Sequence, residues 1–221
     1  MMNRSINFPN PYLAGDCEIL YIGGEITVTN LLKSYTGGIF PWYGEGDPVL
    51  WWCPVIRHVI FTEEFRVPRS IKKSLNKKNY RCTFNKDFET VIKKCANVHR
   101  NDGEGTWITE EMINGYTDLY GSGYAFSVEV WDNENLVGGL YGVRLGDYIS
   151  GESMFHEKDN ASDAALIELL RFAEKSGIPM IDCQITSEHI FRYNAREIKR
   201  EYFLNLLYPL VHKPFENAGG F

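Results

Sequence analysis

A chain of 221 residues with 44% hydrophobic content can bury a sizeable core in one large domain or two small ones. It has no apolar run of roughly eighteen residues, and Met1–Ser5 leads into no apolar segment, so neither a membrane span nor a secretory leader is expected. Five cysteines without a C-x-x-C pair fit reduced thiols in the cytoplasm and argue against a zinc site, while a formal charge of −6 argues, taken alone, against nucleic acid.

The elements follow in chain order. Thr27 or Thr29 can cap a helix carrying Leu31, Leu32 and Tyr35, and Gly37-Gly38 ends it. After Phe40-Pro41-Trp42-Tyr43 and a turn over 44–48, Val49–Cys53 and His58–Phe61 read as short strands. Pro54 and Pro68 bracket a soft boundary, which divides a small N-terminal α/β domain (1–62) from a larger domain (63–221). Ser70–Lys78 reads as a short basic helix and Tyr80–Asn85 as a strand. Phe88, Val91, Ile92 and Cys95 recur with helical period across 86–97. Thr109-Glu110-Glu111 starts a helix through Met112, Ile113, Tyr116 and Leu119, which Gly121 can stop.

Tyr124–Trp131, Leu136–Leu145 and Tyr148–Phe155 read as three strands with turns at Asp132-Asn133 and Gly146-Asp147, an antiparallel meander. Asn160 or Ser162 opens a helix with Ala165, Leu166, Leu169, Leu170 and Phe172 near one face, ended by Gly177. Met180–Ile185 is predicted as the next strand, and helices at 187–193 and 199–210 close the chain. The pattern is that of an α+β protein with a mixed sheet flanked by helices.

The charge is unevenly spread. Between Arg66 and Arg100 stand eleven Lys/Arg and two acids, so this segment carries +9 and the remainder −15. Such asymmetry marks a partner that the net charge conceals. Glu152, in Gly151-Glu152-Ser153-Met154-Phe155, and Asp182, in Ile181-Asp182-Cys183-Gln184, each stand at a predicted strand end with one helix between. A strand–helix–strand unit can bring both to one sheet edge. Strict alternation points Asp182 and Gln184 to one face and Cys183 to the other. Carboxylates in one cleft with a Gln can handle the proton of an attacking amine. Read alone, the same residues also fit a strand-end Asp bonded to backbone and a Glu holding a turn.

Six blocks in order carry a more specific message: Gly38-Ile39-Phe40-Pro41-Trp42, Asp47-Pro48-Val49-Leu50-Trp51-Trp52, Glu104-Gly105-Thr106-Trp107-Ile108-Thr109, Leu136-Val137-Gly138-Gly139-Leu140-Tyr141-Gly142-Val143, and the two carboxylate blocks. Together they resemble the leucyl/phenylalanyl-tRNA–protein transferase family, from about residue 20 to about residue 207. The resemblance implies an acetyltransferase-like larger domain and transfer of Leu or Phe, and less well Met, from Leu-tRNA or Phe-tRNA. The acceptors it implies are proteins with N-terminal Arg or Lys, thereby marked for N-degron proteolysis. No metal or soluble cofactor is implied, and a cytoplasmic monomer is expected.

The same resemblance assigns roles. Asp182 polarises Gln184, whose carbonyl helps take the amine proton, and Glu152 is a counter-charge for the incoming ammonium or the cationic acceptor side chain. Leu140, Met154, Phe155, Leu166 and Leu169 form the pocket for the transferred side chain, with Tyr116 and Ser153 counted in the substrate site. Leu140 stands where many relatives carry Met. Trp42 and Trp107 lie near the terminal adenosine, where a stacked base contributes about 1–3 kcal/mol. Arg69, Lys72, Lys73, Lys77, Lys78 and Arg81 face the acceptor-stem phosphates. Arg192-Tyr193-Asn194-Ala195 departs from the Ser-Leu-Gly-Ala of many relatives; Asn can adopt the left-handed conformation of the Gly, and Arg192 bears on acceptor choice. His189 reads as structural. An acetyl-CoA-dependent acetyltransferase would need a Gly-rich phosphate loop where His156–Asn160 stands. A tRNA-binding module would leave the Glu152, Asp182 and Gln184 set without a task, and a tRNA-dependent cell-wall peptide transferase is a further rival.

Overall fold

The computed structural model describes residues 5–98 and 108–213. After a short turn of 3-10 helix at Pro11–Leu13, the elements are β1 (Ile19–Ile22), α1 (Val28–Thr36), β2 (Phe40–Pro41), β3 (Leu50–Trp52), β4 (Ile56–Phe61), α2 (Arg69–Leu75), β5 (Tyr80–Phe84), α3 (Phe88–Ala96), α4 (Glu110–Gly121), β6 (Ala125–Asp132), β7 (Asn135–Leu145), β8 (Tyr148–His156), α5 (Ala161–Lys175), β9 (Met180–Asp182), α6 (Glu188–Phe191), β10 (Arg196–Lys199) and α7 (Arg200–Val211). The sequence caps act as caps: Thr27 Oγ1 accepts from the Asn30 N–H and Thr109 Oγ1 from the Met112 N–H, each at 3.3 Å. Gly38 ends the α1 turn at φ +73°, and a Cβ there would fall 2.8–3.1 Å from Leu204, Phe203 and Leu207 of α7. Both the left-handed backbone and the close approach require glycine.

The fold is α+β, with two sheets. The small one has the order β1-β3-β2 and the large one β10-β4-β9-β8-β7-β6-β5. Every neighbouring pair is antiparallel except β8 and β9, which are parallel and joined through α5. The β6–β7–β8 meander forms as its turn residues predict. β4 differs from expectation: the sequence places it in the small N-terminal unit, yet it lies inside the large sheet between β9 and β10. Val59 and Ile60 are both fully buried on successive positions of β4, so this strand needs cover on both faces. No helix among the described residues is long and apolar enough to cross a membrane.

The large sheet separates two cores. Residues of α5, Ile71 of α2 and Ile190 of α6 pack on one face. Residues of α1, α3, α4, α7 and the small sheet pack on the other. β8 exchanges its faces midway. Gly142 of β7 pairs with Gly151 and Tyr141 pairs with Ser153, which leaves Glu152 as the extra residue of a β-bulge. Before the bulge, Tyr148 packs on the α7 side and Ile149 on the α5 side; beyond it, Met154 packs on the α5 side and Phe155 on the α7 side. One added residue inverts the parity of a strand. Gly142 makes room for it, since a Cβ there would stand 2.4 Å from the Ser150 carbonyl oxygen.

Candidate active site

β8 and β9 pair at Ile149↔Ile181 and Ser150↔Asp182 and then part. The parting opens a cavity of about 490 Å³, a size suited to a small-molecule group. Leu166, Leu169, Ile181 and Ile190 line it from the α5 side, and Phe40, Trp42 and Tyr141 from the small-sheet side. Glu152, Ser153, Met154, Phe155, Cys183 and Gln184 form the wall between them. An apolar end and a polar wall therefore share one space. Burial pushes the Cys183 thiol up, which keeps it protonated and removes it as a nucleophile.

Asp182 stands behind this wall and is wholly buried. Arg57 of β4 donates to it twice, Nε to Oδ1 at 2.8 Å and Nη2 to Oδ2 at 2.7 Å. The Tyr148 hydroxyl donates to Oδ2 at 2.5 Å and the Gln184 main-chain N–H to Oδ1 at 2.8 Å. The Arg57 guanidinium lies between the rings of Phe40 and Phe203, 4.8 and 4.4 Å from their centroids.

The strand predicted to run to Ile185 stops at Asp182, because Gln184 takes a left-handed φ of +63°. Its N–H is held by Asp182, and its carbonyl accepts from the His58 N–H at 3.2 Å, so the surroundings hold the strained backbone in place. Alternation therefore fails here: Cys183 and Gln184 reach the cavity, and Asp182 does not line it. Nor do the Asp182 and Gln184 side chains hydrogen-bond each other among the described residues. The Gln184 amide donates instead to Ser150 Oγ at 3.1 Å and to Glu152 Oε1 at 2.9 Å. A carboxylate accepts only, which sets the amide nitrogen toward Glu152.

Glu152 is half-buried in the cavity wall. Besides Gln184, Ser150 Oγ donates to its Oε1 at 3.0 Å and the Tyr116 hydroxyl to its Oε2 at 3.3 Å. Tyr35 of α1 and Tyr116 of α4 share a 2.5 Å hydrogen bond behind it. Burial pushes the Glu152 carboxyl up to about 7; hydrogen bonds from Tyr35, Gln184 and Ser150 hold it down, and the Asp182 charge adds to the rise.

Trp42, Glu152, Ser153, Met154, Phe155, Leu166, Leu169 and Gln184, all singled out in the sequence, line one cavity. Two expected pocket residues do not line it. Leu140 is buried beneath its cross-strand partner Met154, on the α5 side of the sheet, and Tyr116 lies behind Glu152. Trp107 is outside the described residues. Arg69, Lys72 and Lys73 on α2, Lys77 and Lys78 in the turn after it and Arg81 of β5 are all exposed, and none forms an ion pair among the described residues. Asn160 Nδ2 donates to Ser74 Oγ at 2.7 Å, which ties α2 to the start of α5 beside the cavity residues His156 and Ser162. His189 also lines the cavity; its Nε2 pairs with Asp163 at 3.3 Å, and Arg192 donates to its Nδ1. Asn194 holds φ +66°, the conformation expected of it.

Four residues that shape the site escape the sequence reading: Arg57, Tyr148, Ser150 and Tyr35. A signal existed for Arg57. It is a charge at the start of the apolar run Val59-Ile60-Phe61, and a buried charge needs a partner.

Comparison with known proteins gives this geometry a family. The family model described as leucyl/phenylalanyl-tRNA protein transferase matches residues 59–208, and that of its N-terminal domain matches residues 24–55. The chain is 45% identical to the leucyl/phenylalanyl-tRNA–protein transferase of Cellvibrio japonicus, covering 95% of this chain and 90% of that protein. It is 46% identical to that of Thermodesulfovibrio yellowstonii (96% and 87% covered) and 43% identical to that of Flavobacterium johnsoniae (92% and 96% covered). Among solved structures, L-PGS from Bacillus licheniformis overlaps at a TM-score of 0.45 and 11% identity, over 71% of this chain and 64% of that one, too distant to bear on the fold. On the family models and these relatives, the chain belongs to the leucyl/phenylalanyl-tRNA–protein transferase family and is an aminoacyltransferase.

Proposed function

We propose that the cavity takes the aminoacyl-adenosine end of Leu-tRNA or Phe-tRNA and presents its ester to a protein whose first residue is Arg or Lys. The observation that carries this is the union, in one 490 Å³ space, of an apolar end at Phe155, Leu166 and Leu169 with the Glu152 and Gln184 wall. The leucyl or phenylalanyl side chain fills the apolar end. Adenosine stacks at Trp42. The cationic peptide end meets Glu152, the one carboxylate among the described lining residues.

An aminoacyl ester is already activated, so holding amine and carbonyl in contact supplies most of the rate. Asp182 serves as a positioning residue: it grips the Gln184 main chain, and Gln184 in turn meets Glu152. The exposed basic face of α2 takes acceptor-stem phosphates independently of sequence. The larger sheet is read as acetyltransferase-like, a reading that the β6–β8 meander, the α5 connection and the parting of β8 from β9 support. The protein works as a monomer in the cytoplasm, where charged tRNA and the marked proteins meet.

The test is transfer of radiolabelled leucine from tRNA to a peptide starting with Arg, with a matched peptide starting with Asp as control. Label on the Arg peptide alone supports the reading; label on neither peptide, or on both equally, ends it. Changing Lys72 to Ala should weaken tRNA binding and lower the slope of log affinity against log salt by about one.

A further inference from the structure

Resting on that reading of the cavity, we infer that Glu152 is the group that takes the proton from the attacking α-ammonium, and that neither Asp182 nor Gln184 does. Three observations converge on it. First, Asp182 is wholly buried, does not line the cavity, and has both oxygens occupied by Arg57, Tyr148 and the Gln184 main chain. A substrate amine has no route to it. Second, the Gln184 amide donates to Ser150 and Glu152, and an amide carbonyl is a weak base in any setting. Third, Glu152 is the extra residue of a β-bulge, and bulges of this kind re-aim a side chain. Here the bulge sets a carboxylate in the wall where β8 has parted from β9.

The surroundings of Glu152 suit a base that must work near neutral pH. The groups that donate to it are neutral: Ser150 of β8, Gln184 after β9, and the hydroxyls of Tyr116 of α4 and Tyr35 of α1. Behind it Asp182 is paired with Arg57 at 2.7 Å, and the Asp182 charge adds to the rise in its proton affinity. No cation among the described lining residues sits on its carboxylate. Burial raises its affinity for a proton into the range in which a general base is effective at pH 7.

The α-ammonium gives one proton to a Glu152 oxygen. The freed lone pair forms the C–N bond to the ester carbonyl carbon. As the C–O bond to the ribose breaks, the leaving oxygen takes that proton from Glu152. The carboxylate then receives the second amine proton and releases it to solvent with the products, leaving one N–H on the new amide.

The experiment measures kcat and KM for an Arg-peptide acceptor with leucyl-tRNA from pH 5.5 to 9, in wild type and Glu152→Gln. A base predicts a kcat loss of about 10²–10⁴-fold in Glu152→Gln. It also predicts a wild-type kcat/KM that falls below pH about 7, and the loss of that acid limb in the variant, whose rate then follows the acceptor amine at about 7.7–8.0. Added formate should restore part of the rate to Glu152→Ala, a rescue that a purely structural role does not give. A Glu152→Gln variant with a raised KM, kcat within about threefold of wild type and the acid limb intact would overturn the proposal and leave Glu152 as a counter-charge. Absence of formate rescue together with an unchanged limb would do the same. Wild type that moves no leucine overturns the functional reading itself, which separates the two failures.

Discussion

The floor behind the cavity and the wall of the cavity each hold a carboxylate, and they treat it in opposite ways. Asp182 meets an arginine fork, a tyrosine and a main-chain N–H, out of reach of solvent. Glu152 meets a serine, a tyrosine and an amide, all uncharged, and opens on the cavity. A carboxylate whose charge is cancelled by a fixed cation becomes a building part. One supported only by neutral dipoles in the wall of a cavity keeps a proton within reach.

The largest effect should come from breaking the floor. Asp182→Ala leaves Arg57 buried without its counter-ion, and urea unfolding should show a loss of about 3–5 kcal/mol. Replacing both partners, as Arg57→Met with Asp182→Leu, should recover most of that stability but little of the transfer activity, since Gln184 loses the acceptor of its N–H. Full activity in the paired variant would show that Asp182 does not position Gln184.

Next in size is Tyr148→Phe, which removes one hydrogen bond to a charged group and should cost about 1.5–3 kcal/mol by the same unfolding measurement. The smallest stability change belongs to the wall. Tyr116→Phe removes a 3.3 Å donor from Glu152 and the Tyr116–Tyr35 bond, but leaves the Tyr35 hydroxyl its bond to Glu152, and should cost about 0.5–1.5 kcal/mol. The Glu152 carboxyl lies at about 7 in the fold against 4.5 for the free group, so the protonated form is the one folding favours. Its contribution to stability is complete below pH about 4.5 and is lost as the pH rises through about 7. Urea midpoints across that window should fall more steeply in Tyr116→Phe, which favours the protonated form further, and should lose this component in Glu152→Gln.

Much of this architecture was legible in the amino-acid order because local chemistry decided it. Thr27, Thr109, Gly37-Gly38 and the Asp132-Asn133 turn act where they stand, and the turns alone delimit the β6–β7–β8 meander. The apolar end of the cavity was legible through the Met154-Phe155 and Leu166/Leu169 motifs. What was not legible depends on partners far along the chain. β4 belongs to the large sheet only because β9 and β10 flank it more than a hundred residues later. The role of Asp182 turns on Arg57, 125 residues away, and the faces of Glu152 and Gln184 turn on a bulge and a left-handed residue. Period-two alternation assumes unbroken strands, and both functional blocks break theirs.

The ring clamp on Arg57 has a consequence for the order of events during synthesis. One ring comes from residue 40 and the other from residue 203, while the ion partner is residue 182. The corner behind the cavity is therefore complete only once the chain through Phe203 of α7 is in place, however early its first ring is made.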